Sequence, residues 1–453
     1  MEIIQADELK DLGNYETVKM LKKKHGFATN IMSIGPAGEW GYAMATVAVT
    51  DMEGNPARHC GRGGMGAVMG SKGIKAIIID DSGAPPMLYK NKDLYRKLAA
   101  NWAQELVKTK KVLTDYGTAN LVTVINSLGY LPTRNFSSGT FEGVDSISGE
   151  MLKETIEKRK GKPSHACQPG CPIRRSNVYN DDKGNYLTAG FEYETIGLIG
   201  PNCGIGDLDF IAGMDRTCDD LGLDTMELGV TMGIIMDVGM IPFGDKEKML
   251  QLVEEVKMNT LLGKLIGQGA ALTGRVVGAK RIPVVKGQGI SCYDPRGGKA
   301  TGVTYATSPM GADHTAGNCL PGRTGYRPIT NDPNFLNTEE GTIQLSKEMQ
   351  YMMGVFDYSG ICCFVGPASD SVEWVAKLIN VKLGSNLTLE DMLYLSKKMI
   401  KNELLFNQRA GIEQSGNVLP QFFYQERLTP NDYLFNISQE KLVEAFNELD
   451  EIL

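Results

Sequence analysis

Two hexapeptides in this 453-residue chain share one pattern: Asp219-Asp220-Leu221-Gly222-Leu223-Asp224 and Asp357-Tyr358-Ser359-Gly360-Ile361-Cys362. Each follows a helical apolar run, stops it at a glycine, and then presents an acceptor or a thiol. One such stretch means little. Two, the second ending in Cys, predict a pseudo-symmetric site whose acidic clamps grip two similar halves of one ligand. The first hexapeptide closes a dense stretch, Phe191 to Asp224, that also holds Glu192, Glu194 and the turn Pro201-Asn202-Cys203-Gly204-Ile205-Gly206-Asp207.

The length allows several buried cores and suggests roughly three domains. A net charge of −7 with no Lys/Arg block excludes nucleic acid as the main partner. The start, Met1-Glu2-Ile3-Ile4-Gln5-Ala6-Asp7, is acidic where a targeting segment is basic, so the expectation is a cytoplasmic protein. The most apolar window, Leu228 to Ile241, is broken by Asp237, which excludes a membrane span. Nine cysteines without a secretory signal point to thiol, redox or metal chemistry and away from a disulfide frame. With only four histidines (His25, His59, His165 and His314), a His-rich metal site is not expected.

Periodicity gives an α+β chain, β-rich first and helical afterwards. Ile31 to Ile34, Ala43 to Thr50 and a buried run, Ile74 to Ile79, read as strands; helical spacing occupies 92–112 and 149–160, the latter opening at Ser148. Further helices are expected near 226–240, 245–258, 260–277, 340–355, 367–380, 388–407 and 438–453, with a Gly/Pro-rich region at 286–325 between them. The corresponding division is 1–90, a β-rich base domain; 91–297, a helical domain with the cysteine loop and first hexapeptide; and 298–453, a helical domain with the second.

Gly61-Arg62-Gly63-Gly64-Met65-Gly66 satisfies G-x-G-x-x-G. The dinucleotide reading needs a strand before it and a crossover helix after it, and Arg58-His59-Cys60 does not read as a strand. A P-loop fails because Gly70-Ser71-Lys72 reverses the Lys-Ser order. What survives is a backbone N–H nest with Arg62, suited to an oxyanion or phosphate, or else a glycine turn packed on a sheet. Cys167 and Cys171 lie in the turn-rich stretch His165 to Pro172 and suit iron–sulfur ligation, with Cys362 as a third thiolate; taken alone, two close cysteines are more often structural or incidental. Glu192 and Glu194 fall on one face if extended, as acid and base or as solvated charges. His314, among small residues beside Asp313, fits a polar cavity or a structural role.

Taken together, IGPAGE (34–39), GRGGMGAVMGSKGIKAI (61–77), LPTRNF (131–136), FEYET, PNCGIGD, DDLGLD, YDPRGGK, ATSPMGADHTAG and DYSGICCF resemble the aldehyde ferredoxin oxidoreductase family of tungsten-pterin enzymes, in family order. The resemblance implies a tungsten (or molybdenum) bis-pyranopterin held by dithiolene sulfurs, with Asp219, Asp224 and Asp357 accepting hydrogen bonds from the two pterins. Arg62, Gly63 and Gly64 would meet a pterin phosphate, with a Mg ion bridging the phosphates. Glu194 would be the catalytic base, and His314 would bond substrate or a metal-oxo group. Cys167, Cys171 and Cys362 would hold an iron–sulfur cluster of [4Fe–4S] type. It further implies aldehyde oxidation to carboxylic acids, ferredoxin or another electron-transfer protein as partner, and a homo-oligomer. The chain departs from the family in three ways. It starts well inside the N-terminal β-rich segment, Arg175 stands where a third loop cysteine is usual, and it stops short of the usual tail. These departures raise an alternative, a non-catalytic, truncated or split subunit that needs a partner for its missing N-terminal half. A third reading is a nicotinamide enzyme without metal.

Overall fold

Asn14–His25 places Val18 and Leu21 on one side of a turn pattern and forms helix α1, which the sequence reading of a β-rich start does not anticipate. Those residues pack with Leu9 and Ile31 against one face of a sheet. The sheet has strands β1 (Asn30–Ser33), β2 (Val47–Val49), β3 (Arg58–Cys60) and β4 (Ala76–Ile79) in the order β3-β2-β1-β4, with every pair antiparallel. Two short helices, α2 (Pro36–Glu39) and α3 (Met65–Ser71), fill the connections. The computed structural model describes residues 2–321, 335–366 and 368–452; the last residues of the expected 286–325 region, and the first of the expected 367–380 helix, lie outside them.

Two expectations for this sheet need correction. The run Ile74–Ile79 is not a buried strand: β4 is an edge strand whose Ile78 faces the α1 cluster while Ile77 and Ile79 stay 43% and 45% exposed. Arg58–Cys60 is a strand, and a helix does follow the glycine loop. The dinucleotide reading fails for another reason: β4 pairs antiparallel with β1 and does not lie parallel beside β3, so there is no βαβ crossover. The glycines of α3 answer to packing. A Cβ at Gly66 would sit 2.3 Å from the Thr46 carbonyl oxygen, and one at Gly70 2.1 Å from that of Gly38.

Contacts divide the chain into two compact units, Met1–Pro85 with Val112–Ile282, and Pro86–Lys111 with Pro283–Leu453. Helix α4 (Lys92–Thr109) belongs to the second, while α5 (Lys111–Tyr116), α6 (Asn120–Ser127) and α7 (Gly149–Lys158) continue the first. Helix α7 opens as expected, with the Ser148 hydroxyl accepting from the Met151 N–H. A second antiparallel sheet then appears where no strands are expected: β5 (Lys162–His165), β6 (Ser176–Asn180) and β7 (Tyr186–Ala189). Its β5–β6 connection is the cysteine loop.

The first unit ends in α8 (Tyr193–Ile199), α9 (Leu208–Leu221), α10 (Thr225–Asp237), α11 (Lys246–Lys257), α12 (Leu261–Gly267) and α13 (Gly269–Val276). The expected single helix at 260–277 is broken at Gly269, whose φ is +84°. Helix α10 is buried from Met226 through Met236, Glu227 and Thr231 included, as a core helix packed on all sides. No described helix is long and apolar enough to cross a membrane.

The second unit adds a hairpin, β8 (Val284–Val285) and β9 (Gln288–Gly289), and the helices α14 (Lys299–Thr307), α15 (Glu339–Ser359), α16 (Ser369–Leu383), α17 (Leu389–Arg409), α18 (Phe422–Gln425) and α19 (Gln439–Glu444). Its core is α15, nearly all buried between α14 and α17. The motif Tyr293–Lys299 owes its form to a buried ion pair. The Arg296 Nε and Nη2 donate to the two Asp294 carboxylate oxygens at 2.9 and 2.6 Å, and Nη1 donates to the Glu426 carbonyl at 3.1 Å. The chain is thus α+β, small sheets with mostly helical surroundings.

Candidate functional site

The two hexapeptides fold alike. Helix α9 stops at Leu221, Gly222 turns left-handed at φ +74°, and the Leu223 N–H returns to the Cys218 carbonyl at 2.9 Å. Helix α15 stops at Ser359, Gly360 turns at φ +69°, and the Ile361 N–H returns to the Phe356 carbonyl at 2.9 Å. Both are Schellman-type ends, which explains why glycine stands at the left-handed position. The last residues match too: Asp224 and Cys362 are extended and each opens a new turn, α10 and Cys363–Val365.

In the first unit, the hexapeptide is stitched to the strand region. The Asp224 N–H donates to the Met44 carbonyl and the Thr46 N–H to that of Gly222, both at 2.9 Å, while the Gly66 N–H reaches the Ala45 carbonyl at 3.0 Å. The glycine loop and Asp224 therefore share one backbone ledge. Arg62, flanked by Gly63 and Gly64 at φ +85° and +70°, donates from Nε to Asp224 Oδ2 at 3.0 Å and reaches Glu227 Oε2 at 3.4 Å. Asp224 also caps α10, its Oδ1 accepting from the Met226 N–H at 2.9 Å. Two of its roughly four lone-pair positions remain for another donor.

Asp219 is buried among groups that sequence reasoning missed. His59 Nε2 lies 3.0 Å from its Oδ1, and the hydroxyls of Tyr15 and Thr188 approach its Oδ2 at 3.4 Å. Thr188 also donates to Asp215 Oδ2 at 2.6 Å, one turn earlier on α9. Burial, and then the neighbouring Asp219, push the Asp215 carboxyl well above the usual carboxylate range. The i, i+4 spacing of the two aspartates is the sequence signal that could have found this pair.

A pH prediction follows. Folded Asp215 keeps its proton to higher pH than unfolded Asp215, so this contribution is fully present below the unfolded pKa of about 4 and is lost as pH rises through the raised value. Asp215→Asn does not ionise and can still accept from Thr188. Thermal unfolding should show the variant gaining on the wild type from pH 4 to pH 8, by up to about 1.4 kcal/mol per unit of pKa difference. A gap that narrows over that range would count against the assignment.

Glu192 and Glu194 correct an expectation: they are not on one face of an extended segment. Glu192 precedes α8 and is ion-paired with Arg175, whereas Glu194 lies in the first turn of the helix, half-buried. The hydroxyls of the next residues, Thr195 and Thr225, lie 2.8 Å apart and join the start of α8 to the start of α10. This brings Glu194 beside the Asp224 turn. Cys167 and Cys171 sit in the β5–β6 loop, and the Cys171 Sγ accepts from the Arg174 N–H at 3.5 Å. No disulfide forms among the described residues. Within neither unit do the described residues gather three His, Cys, Asp or Glu side chains as a metal-holding group.

In the second unit, His314 Nδ1 is 3.0 Å from the Ser291 hydroxyl and 4.0 Å from Asp313, with its ring 5.7 Å from that of Tyr293. Asp313 accepts from the Thr315 N–H and hydroxyl. Asp357, at the end of α15, is pushed up to about 6 by partial burial and by Asp313. In the second unit Asp357 thus feels the charge of Asp313, the neighbour of His314, and in the first Arg62, Gly63, Gly64 and Asp224 share one ledge, with Glu194 next to the Thr195–Thr225 contact.

Comparison with known proteins gives this arrangement its family. Residues 94–449 match the family model described as "Aldehyde ferredoxin oxidoreductase, domains 2 & 3", and residues 1–81 match the corresponding N-terminal domain. The chain is 32% identical over 441 residues to the tungsten-containing aldehyde ferredoxin oxidoreductase of Pyrococcus horikoshii, covering 91% of this chain and 69% of that protein. It is 31% identical over 450 residues to the protein of the same name from Thermococcus kodakarensis, covering 94% and 71%. Among solved structures, the active-site complex BamBC of benzoyl coenzyme A reductase with 1,5-dienoyl-CoA superposes with a TM-score of 0.76 at 16% identity, covering 100% of this chain and 75% of that one, a likeness of fold. The chain belongs to the aldehyde ferredoxin oxidoreductase family, and it is an oxidoreductase of that type.

Proposed function

We propose that this chain oxidises aldehydes to carboxylic acids on a tungsten or molybdenum bis-pyranopterin and passes the electrons to ferredoxin or another electron-transfer protein. The observation that carries the reading is the pair of matching helix ends at Gly222 and Gly360, the arrangement expected if two like halves of one group are gripped. The donor set fits: Asp224 is held rigid by Arg62 and its own helix yet keeps acceptor capacity, and Arg62 beside Gly63 and Gly64 supplies a guanidinium for phosphate. When bound, the group would supply a two-electron oxidant and a site for water-derived oxygen.

The chain's own residues do the rest. Aldehyde and water give carboxylate, three protons and two electrons. Glu194 would take a proton from the attacking water, and His314, fixed by Ser291, would hydrogen-bond the substrate oxygen. A cluster held by four cysteines does not fit the residues present. Cys167 and Cys171 are the loop's two thiols, and Arg175, where the resemblance calls for a third, is paired with Glu192. That same Arg175–Glu192 pair favours the second reading, a subunit that works only with a partner.

Glu194→Gln tests the proposal. Anaerobically purified wild type should reduce a low-potential acceptor when given aldehyde. The variant should keep its bound metal and lose about 100-fold or more in rate. Full turnover by the variant would remove Glu194 from its role, and no turnover by metal-loaded wild type would favour the second reading.

A further inference from the structure

The second unit holds a cavity of about 440 Å³ that none of the roles above uses. It lies between the β8–β9 turn, which supplies Lys286, and the last turns of α17, which supply Lys401, Leu404 and Leu405. Phe446, from the C-terminal segment, adds to its apolar wall. A concave site that joins apolar surface to a few fixed polar groups is the usual form of a small-molecule site.

Hydrogen bonds to the backbone fix these walls. Lys286 Nζ donates to the Ala306 and Ser308 carbonyls at 3.0 and 2.7 Å, and so caps the end of α14. Lys401 Nζ donates to the Asp450 and Ile452 carbonyls at 3.2 and 2.6 Å, which ties the end of the chain to α17. The Asn407 Nδ2 donates to the Pro309 carbonyl at 2.6 Å and holds the segment that runs on to His314.

Two groups on the walls keep capacity for a ligand. Lys286 has used two of its three N–H donors, and no carboxylate among the described residues pairs with it. A buried cation is ordinarily paired with an anion, and burial pushes this ammonium down to about 8. Asn417 is only 4% exposed, and its side-chain amide meets no hydrogen-bond partner among the described residues. Its backbone is held all the same, the N–H donating to the Gln414 carbonyl at 2.8 Å. The acids of the lining, Glu413 and Asp450, are both exposed to water, which screens them.

We propose that this cavity is a binding site for a monocarboxylate with a compact apolar body. The carboxylate would accept from Lys286 and from the Asn417 amide, and the body would lie on Leu404, Leu405 and Phe446. A two-oxygen anion of single charge suits one ammonium and one amide donor. A phosphate ester would bring a second charge toward Glu413 and Asp450 and would find no guanidinium in the lining to grip it. The ligand is held here and not transformed, so the site stands or falls apart from the oxidation proposed above.

Calorimetry on the full chain tests this with benzoate as the probe. Wild type should bind benzoate saturably, and should bind benzamide, its neutral twin, and phenyl phosphate at least tenfold more weakly. Lys286→Met keeps much of the stem and removes the charge. Leu405→Glu adds a negative charge to the apolar wall at a residue already 37% exposed. Each should weaken benzoate about tenfold or more. Circular dichroism checks both folds, and Leu405→Glu carries the test alone if Lys286→Met does not fold. Benzoate held only near Glu194 or His314 would be indifferent to both changes. Unchanged benzoate binding in the folded variants, no benzoate binding by wild type, or binding of benzamide or phenyl phosphate as tight as that of benzoate would overturn the inference.

Discussion

Arg62→Met should lower the unfolding temperature of the first unit by on the order of 10 °C, because it strands two buried carboxylates. The guanidinium lies between Asp224 and Glu227, with all three side chains at most 10% exposed. Removing one member of such a group costs about 3–5 kcal/mol, most of it the penalty for charge left without a partner. Adding Asp224→Asn and Glu227→Gln should therefore recover much of the loss, since neutral amides carry no such penalty. The Asp224→Asn side chain would still cap α10 through its amide oxygen. Wild-type stability in Arg62→Met alone, measured by thermal unfolding, would show that the guanidinium is not what holds these acids in place.

Arg296→Met is the counterpart in the second unit, with an expected loss of about 3–5 kcal/mol. Arg296 and Asp294 have side-chain exposures of 1% and 0%, and the guanidinium also lies over the rings of Phe422 and Phe423 at 5.7 and 5.2 Å. The fork geometry matters as much as the charge. Arg296→Lys keeps the charge but cannot bridge both Asp294 oxygens and the Glu426 carbonyl together, so it should rescue only a small part. The double change Arg296→Met with Asp294→Asn should be milder than Arg296→Met alone. Equal stability of Arg296→Lys and wild type would reduce the pair to a point charge.

What the sequence made legible was local. Gly222 and Gly360 announce helix ends because only a residue without a side chain turns left-handed freely, and Ser148 announces a start because its hydroxyl replaces a missing carbonyl. The spacing near 226–240 announces a helix, and α10 lies there. What escaped depends on partners distant in the chain. Strands β5 to β7 are short and polar, and they become strands by pairing with one another. Arg58-His59-Cys60 has no strand pattern of its own and is one because β2 pairs with it. Glu192 and Glu194 look like a matched pair until a helix begins between them and Arg175 claims the first. His59 could not be linked to Asp219 without the sheet that brings residue 59 to α9.

The central proposal is that each hexapeptide, one ending in Asp224 and the other in Cys362, binds a pterin. Elemental and pterin analysis of protein purified without oxygen tests it most directly, on wild type beside Asp224→Ala and Asp357→Ala. The account predicts tungsten or molybdenum together with pterin in the wild type, and a sharp drop of both in either variant although each changes only one clamp. Wild-type protein that is folded yet carries neither metal nor pterin, or variants that load as fully as wild type, would contradict it.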